Sequence, residues 1–261
     1  MKPAFSAVCL TVCLVSATAC GPARVVRVPV QPEDIRQSNN LTRQGDELLV
    51  RKEFYPALLK YLDAVRLNPN NEVILNKAAI VYTKLNLNEQ AAKAVDRALE
   101  LNPKYAYAYN TQGTLHLVRG DLGRAAKLFR KAIALRPDTA FFYKNLGTTL
   151  FEAKQFDKGM QAYRKAIELD PKALSAGNGI NVESQASRGP DVDRDFYFAK
   201  LYAHDGNVDR AIEYLRKALE AGLEPGRIAT EKDFDLIRAT EKFRELLQER
   251  GLALATAPPQ D

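Results

Sequence analysis

The chain has 261 residues, 46% of them hydrophobic and 27% charged, which fits an ordinary soluble fold of one or two domains with enough apolar side chains for a sizeable core. Its formal charge of +6 would point to nucleic acid or an anionic membrane if the basic residues gathered on one face. They are interleaved with acids, as in Glu152-Ala153-Lys154 and Arg244-Glu245. No nucleic-acid partner is therefore expected, and only weak attraction to anionic headgroups stays open. Trp is absent and the apolar content leans on Ala, Leu, Val and Tyr, which suits closely packed helices better than sheet.

All the cysteines, Cys9, Cys13 and Cys20, fall in the first 20 residues, with no His nearby. That spacing supports neither a metal site nor a redox motif, and a disulfide framework lacks partners farther along. Lys2 followed by the uncharged run Ala4 to Ala19 has the layout of a secretory signal, and the run is shorter than a spanning helix needs. Its end, Ala17-Thr18-Ala19-Cys20, resembles the lipobox of bacterial lipoproteins, although Ala17 departs from the usual Leu or Val. The resemblance implies a signal peptide over residues 1–19 and a lipid, a diacylglyceryl thioether plus an amide-linked chain, on Cys20. A plain signal cut near Ala19 is the alternative. Several acyl chains meet the demand of stable anchoring, which one chain does not. Gly21, where some inner-membrane lipoproteins carry Asp, favours the periplasmic face of the outer membrane if the cell has two membranes. Residues 20–34, rich in proline and without helical period, are expected to form an extended tether.

A 34-residue period follows. Pro69, Pro103, Pro137 and Pro171 close units 38–71, 72–105, 106–139 and 140–173. Position 8 holds Gly45, Ala79, Gly113 and Gly147; position 20 holds Ala57, Ala91, Ala125 and Gly159. Position 24 holds Tyr61, Val95, Phe129 and Tyr163, and position 27 is Ala64, Ala98, Ala132 and Ala166. Small residues let antiparallel helices approach, and the larger one fills the space between them. The pattern resembles the tetratricopeptide repeat family. It implies an all-α, right-handed superhelical solenoid of helix hairpins, with Leu41, Leu75, Tyr109 and Tyr143 where the family often has Trp.

After Pro171 the phase breaks, and residues 174–191 read as a loop insert. A fifth hairpin is expected over 192–225, with Ala199, Tyr202, Gly206, Ala211, Leu215 and Ala218 in repeat positions. Capping helices over 226–252 and a disordered tail over 253–261 complete the chain.

Chemistry is sparse. His116 and His204 are isolated, and no phosphate loop, nucleophile triad or metal-ligand spacing can be assembled, so neither catalysis nor a cofactor is expected. The family resemblance instead implies a concave face lined by the first helix of each hairpin. The candidate partner groove is Asn76, Lys84, Tyr107, Asn110, Phe141, Lys144, Phe151 and Lys200, with Ile80, Thr83, Thr114, Leu117, Thr148, Phe196 and His204 beside them. Amides bond a peptide backbone, aromatic rings take apolar anchors and lysines favour acidic groups, so a protein or peptide ligand is expected, and no metal. The carboxylate clamp of the family's chaperone-binding members does not align, because Asp46, Ile80 and Phe141 stand where its residues are needed. The function expected is a lipid-anchored scaffold or adaptor of the cell envelope, pilotin-like or recruiting an envelope enzyme. The alternative is a structural subunit of a self-associating envelope assembly.

Overall fold

The computed structural model describes residues 27–174 and 191–251, so Cys20, the apolar leader, the insert over 175–190 and the tail beyond 251 lie outside the described residues. The described residues form α-helices and no strand. Five hairpins follow one another: α1 (Pro32–Val50) with α2 (Phe54–Leu67), α3 (Glu72–Lys84) with α4 (Asn88–Leu101), α5 (Ala106–Val118) with α6 (Leu122–Leu135), α7 (Ala140–Glu152) with α8 (Phe156–Leu169), and α9 (Val192–His204) with α10 (Val208–Glu220). A cap of α11 (Gly226–Thr230), a 3-10 turn (Lys232–Phe234) and α12 (Glu241–Glu249) closes the array.

Local chemistry sets the ends of these helices. The second helix of each of the first four hairpins stops two residues before its proline, and the residue preceding the proline leaves helical geometry: Asn68, Asn102, Arg136 and Asp170 have ψ between 80 and 106°. The proline ring excludes helical backbone there. Within each hairpin the turn places one residue at positive φ, always at position 15: Lys52, Asn86, Gly120, Lys154 and Gly206. Side chains cap several starts; Asn71 accepts from the amides of Val73 and Ile74, and Asp121, Asp191 and Asn207 do the same for α6, α9 and α10. Helix α1 begins at Pro32, inside the stretch read as tether. Proline suits the first helical position, and Glu33 and Asp34 complement the positive helix start.

The small residue at position 8 sits against the large one at position 24. A Cβ added to Gly45, Gly113 or Gly147 would come within 2.7, 2.8 and 3.0 Å of the rings of Tyr61, Phe129 and Tyr163. The second hairpin pairs Ala79 with Val95, and both are fully buried. The methyl gained on one helix is matched by the ring lost from the other. The end hairpin and cap share a further core in which Phe196, Phe198, Tyr214, Leu215, Phe234, Phe243 and Leu246 are buried together. Among the described residues, no helix is long and apolar enough to cross a membrane.

Candidate functional site

A groove of about 970 Å³ opens along the inner side of the middle hairpins. Helix α3 supplies Ile80, Thr83 and Lys84, α5 supplies Tyr107, Asn110 and Thr114, and α7 supplies Phe141 and Asn145. The inter-hairpin turns add Arg136, Asp138 and Asp170 at the rim. Tyr107 and Phe141 form an aromatic wall with ring centroids 5.9 Å apart, backed by buried Phe142, whose ring stands 4.6 Å from that of Phe141. The Arg136 guanidinium lies over the Tyr107 ring at 5.3 Å and donates to its hydroxyl at 3.1 Å. On the floor, the Asn145 side-chain amide donates to Asn110 Oδ1 at 2.8 Å. Asn145 is buried, and its own Oδ1 has no hydrogen-bond partner. Leaving a buried carbonyl without a donor costs about 1 to 3 kcal/mol.

Four of the residues expected in the groove line it: Lys84, Tyr107, Asn110 and Phe141, as do Ile80, Thr83 and Thr114 beside them. Four others are placed elsewhere, each for a packing reason. Asn76 is buried and turned to Tyr105, whose phenol is pushed up to about 12 chiefly by burial. Lys144 is only 1% exposed, and burial lowers its pKa. Phe151 is 3% exposed and fills the hollow left by Gly159, where a Cβ would come within 2.3 Å of its ring; it stacks on Phe198 at 4.8 Å and so ties the fourth hairpin to the fifth. Lys200 is covered by the cap, bonding Glu231 and Asp233 at 2.9 Å each. Asp233 also pairs with Arg164, and Phe234 packs edge-on against Phe196 at 5.8 Å. The cap thus occupies the inner face of the fifth hairpin, and the open groove ends at the fourth.

Sequence reasoning missed Arg136 and Asn145. Arg136 was legible as a departure, since the equivalent residues Asn68, Asn102 and Asp170 are Asn or Asp. Asn145 gave no signal, because it lies one position from the inward set that the family resemblance implies. The reading of evenly spread charge is also corrected: Arg119, Arg124, Lys127, Arg130, Lys131 and Arg136 against the single Asp121 give residues 119–136 a net +5 of the chain's +6. Helix α6 itself contains no acidic residue.

An array of antiparallel hairpins with an open inner groove defines a helical-repeat protein of the solenoid class. Residues 76–139 and 110–173 match one tetratricopeptide repeat family model and residues 198–221 match another, and this chain is a tetratricopeptide repeat protein. The heat-shock protein cognate co-chaperone sgt12 of Aspergillus fumigatus is 30% identical over 77 residues, 30% of this chain and 23% of that one. Small glutamine-rich tetratricopeptide repeat-containing protein 2 of Saccharomyces cerevisiae is 26% identical over 93 residues, 34% and 27% of the two chains. The matched segment spans about a quarter of the length of these curated relatives. Among solved structures, pilF of Pseudomonas aeruginosa aligns with a TM-score of 0.53 at 13% identity, covering 83% of this chain and 91% of that one. A thermophilic TPR protein of Thermus thermophilus aligns at 0.52 and 20% identity, covering 81% and 99%. At such identities the likeness is one of fold.

Proposed function

We propose that this protein is a lipid-anchored adaptor of the cell envelope that holds a peptide segment of a protein partner in the groove between α3, α5 and α7. The groove itself carries the reading: it pairs an aromatic wall at Tyr107 and Phe141 with the polar side chains of Asn110, Thr114 and Arg136. An extended segment would lay an apolar side chain on the wall and bond its backbone to polar side chains of the groove such as Asn110. Co-chaperones are among the relatives, which supports a partner that is itself a protein. Ile80 and Phe141 stand where a carboxylate clamp needs polar residues, so the ligand is held by an apolar anchor and not by its C-terminal carboxylates.

The envelope address rests on Ala17-Thr18-Ala19-Cys20, with Cys20 as the lipid-bearing residue and the outer membrane as destination in a cell that has two membranes. Recruitment of an envelope enzyme and pilotin-like assembly are the roles such an anchored adaptor fits.

Selection of phage-displayed peptides on the full chain tests the groove. Selected peptides should share an apolar or aromatic residue, and Tyr107→Ala or Phe141→Ala should weaken them by about 1 to 3 kcal/mol with helicity unchanged. Peptides that bind both variants as tightly as the unaltered protein would place the ligand elsewhere.

A further inference from the structure

The outer helices of the hairpins share a register, and the first hairpin breaks its chemistry. Positions 18 and 22 of the second helix carry Glu89 and Lys93, Gly123 and Lys127, Asp157 and Gln161, and Asp209 and Glu213 in hairpins two to five. In the first they carry Tyr55 and Leu59, which are 67% and 63% exposed, beside Val50 at 84%. Stacking does not explain the stripe, because the free end of the array is covered by the polar face of α1, where Arg36, Asn39, Asn40 and Arg43 are exposed. Arg51, Lys52 and Lys60 adjoin the stripe in sequence and make no ion pair among the described residues, whereas of the nearby acids Glu47 and Asp63 are paired with Arg43 and Arg66, and Glu53 is exposed.

We propose that this stripe is a membrane-docking face that sets the first hairpin against an anionic bilayer surface. Its chemistry is that of an interfacial anchor: aliphatic side chains to enter the headgroup boundary, a tyrosine to sit in it, and cations to meet lipid phosphates. The few exposed side chains give far less than the roughly 800 Å² a side of a stable protein–protein interface, which argues against a second copy or a large partner. Lys127, Arg130 and Lys131 are exposed on the outer helix of the third hairpin, so the excess positive charge faces the same side of the array. Docking this side turns the groove, which the inner helices line, away from the lipid and toward its partner. The face acts independently of the lipid on Cys20.

The chain contains no Trp, so a single introduced one reports its own surroundings. Leu59→Trp, and separately Gln161→Trp at the same register in the fourth hairpin, are placed in the mature chain, residues 20–261 with Cys20→Ser, so that neither the apolar leader nor a lipid holds the reporter at the vesicle. Each is mixed with vesicles of phosphatidylglycerol and phosphatidylcholine, plain or brominated. The expected result is blue-shifted emission and several-fold stronger bromolipid quenching for Leu59→Trp than for Gln161→Trp, lost when Lys52 and Lys60 are both changed to Glu. Equal, water-like emission from the two reporters would overturn the proposal. Emission from Leu59→Trp already blue before lipid is added would also overturn it, assigning the stripe to a second copy or to another segment of the chain. Circular dichroism on each variant establishes that the fold is retained.

Discussion

Gly113 on α5 faces Phe129 on α6 so closely that a single added methyl would stand 2.8 Å from Cε1 of the ring. The ring is fully buried and has no solvent side into which to move. Gly113→Ala should therefore lose about 1 to 3 kcal/mol to overpacking, less the gain of about 1 kcal/mol that alanine has over glycine in a helix. In a Phe129→Val background, which copies the Ala79 and Val95 pair of the second hairpin, the same change should be neutral or stabilising. Urea denaturation of the four proteins closes the cycle, and additive effects would show that the two residues do not share the space.

Backbone strain at the hairpin turns gives a second test. Gly120 has φ of +79° at the position where Lys52 and Lys154 also adopt the left-handed region. Gly120→Ala should cost about 1 kcal/mol, although nothing lies within 4 Å of the added carbon. A thermal midpoint that does not fall would mean that the turn relaxes to another geometry.

The cap should respond to pH through Lys200. Burial alone would lower its pKa, but hydrogen bonds to Asp233 and Glu231 raise it above the ordinary lysine value. Asp233 is lowered despite burial because Lys200 and Arg164 face it. The stabilisation tied to Asp233 is present above the unfolded carboxyl value near 4 and fades as pH falls through its lower folded value. That tied to Lys200 is present below its unfolded value of about 10.4 and fades as pH rises through the raised one. Lys200→Met should thus cost about 1 to 3 kcal/mol at neutral pH by leaving two half-buried carboxylates short of a partner. The difference from the unaltered protein should narrow at both extremes, as measured by denaturation across pH.

Processing at Cys20 makes a fourth prediction. The mature chain should begin at Cys20 and carry lipid visible in its mass, and Cys20→Ser should leave the leader uncut. A mature chain that begins at Cys20 with a free thiol would favour the plain signal cut.

The architecture was legible because each of its rules is written in one residue type at one spacing: proline against helix continuation, and glycine or alanine opposite a ring. The site was less legible because a position on the inner face does not say what covers it. Phe151 turns into the core because Gly159 leaves it room, a coupling between two hairpin positions that family phasing treats separately. Lys200 is lost to the groove because Glu231 and Asp233 fold back from the cap, a contact that no local pattern foretells. Arg136 enters from a turn, and Asn145 from a register that the family resemblance sets aside.

The most direct test places a photo-crosslinking side chain at Tyr107 in cells, with the same group at Gln161 on the outer face as control. The account predicts one defined polypeptide captured from Tyr107, absent from Gln161 and lost when Phe141→Ala is added. Identical adducts from the two positions, or capture that survives Phe141→Ala, would contradict a groove-bound partner.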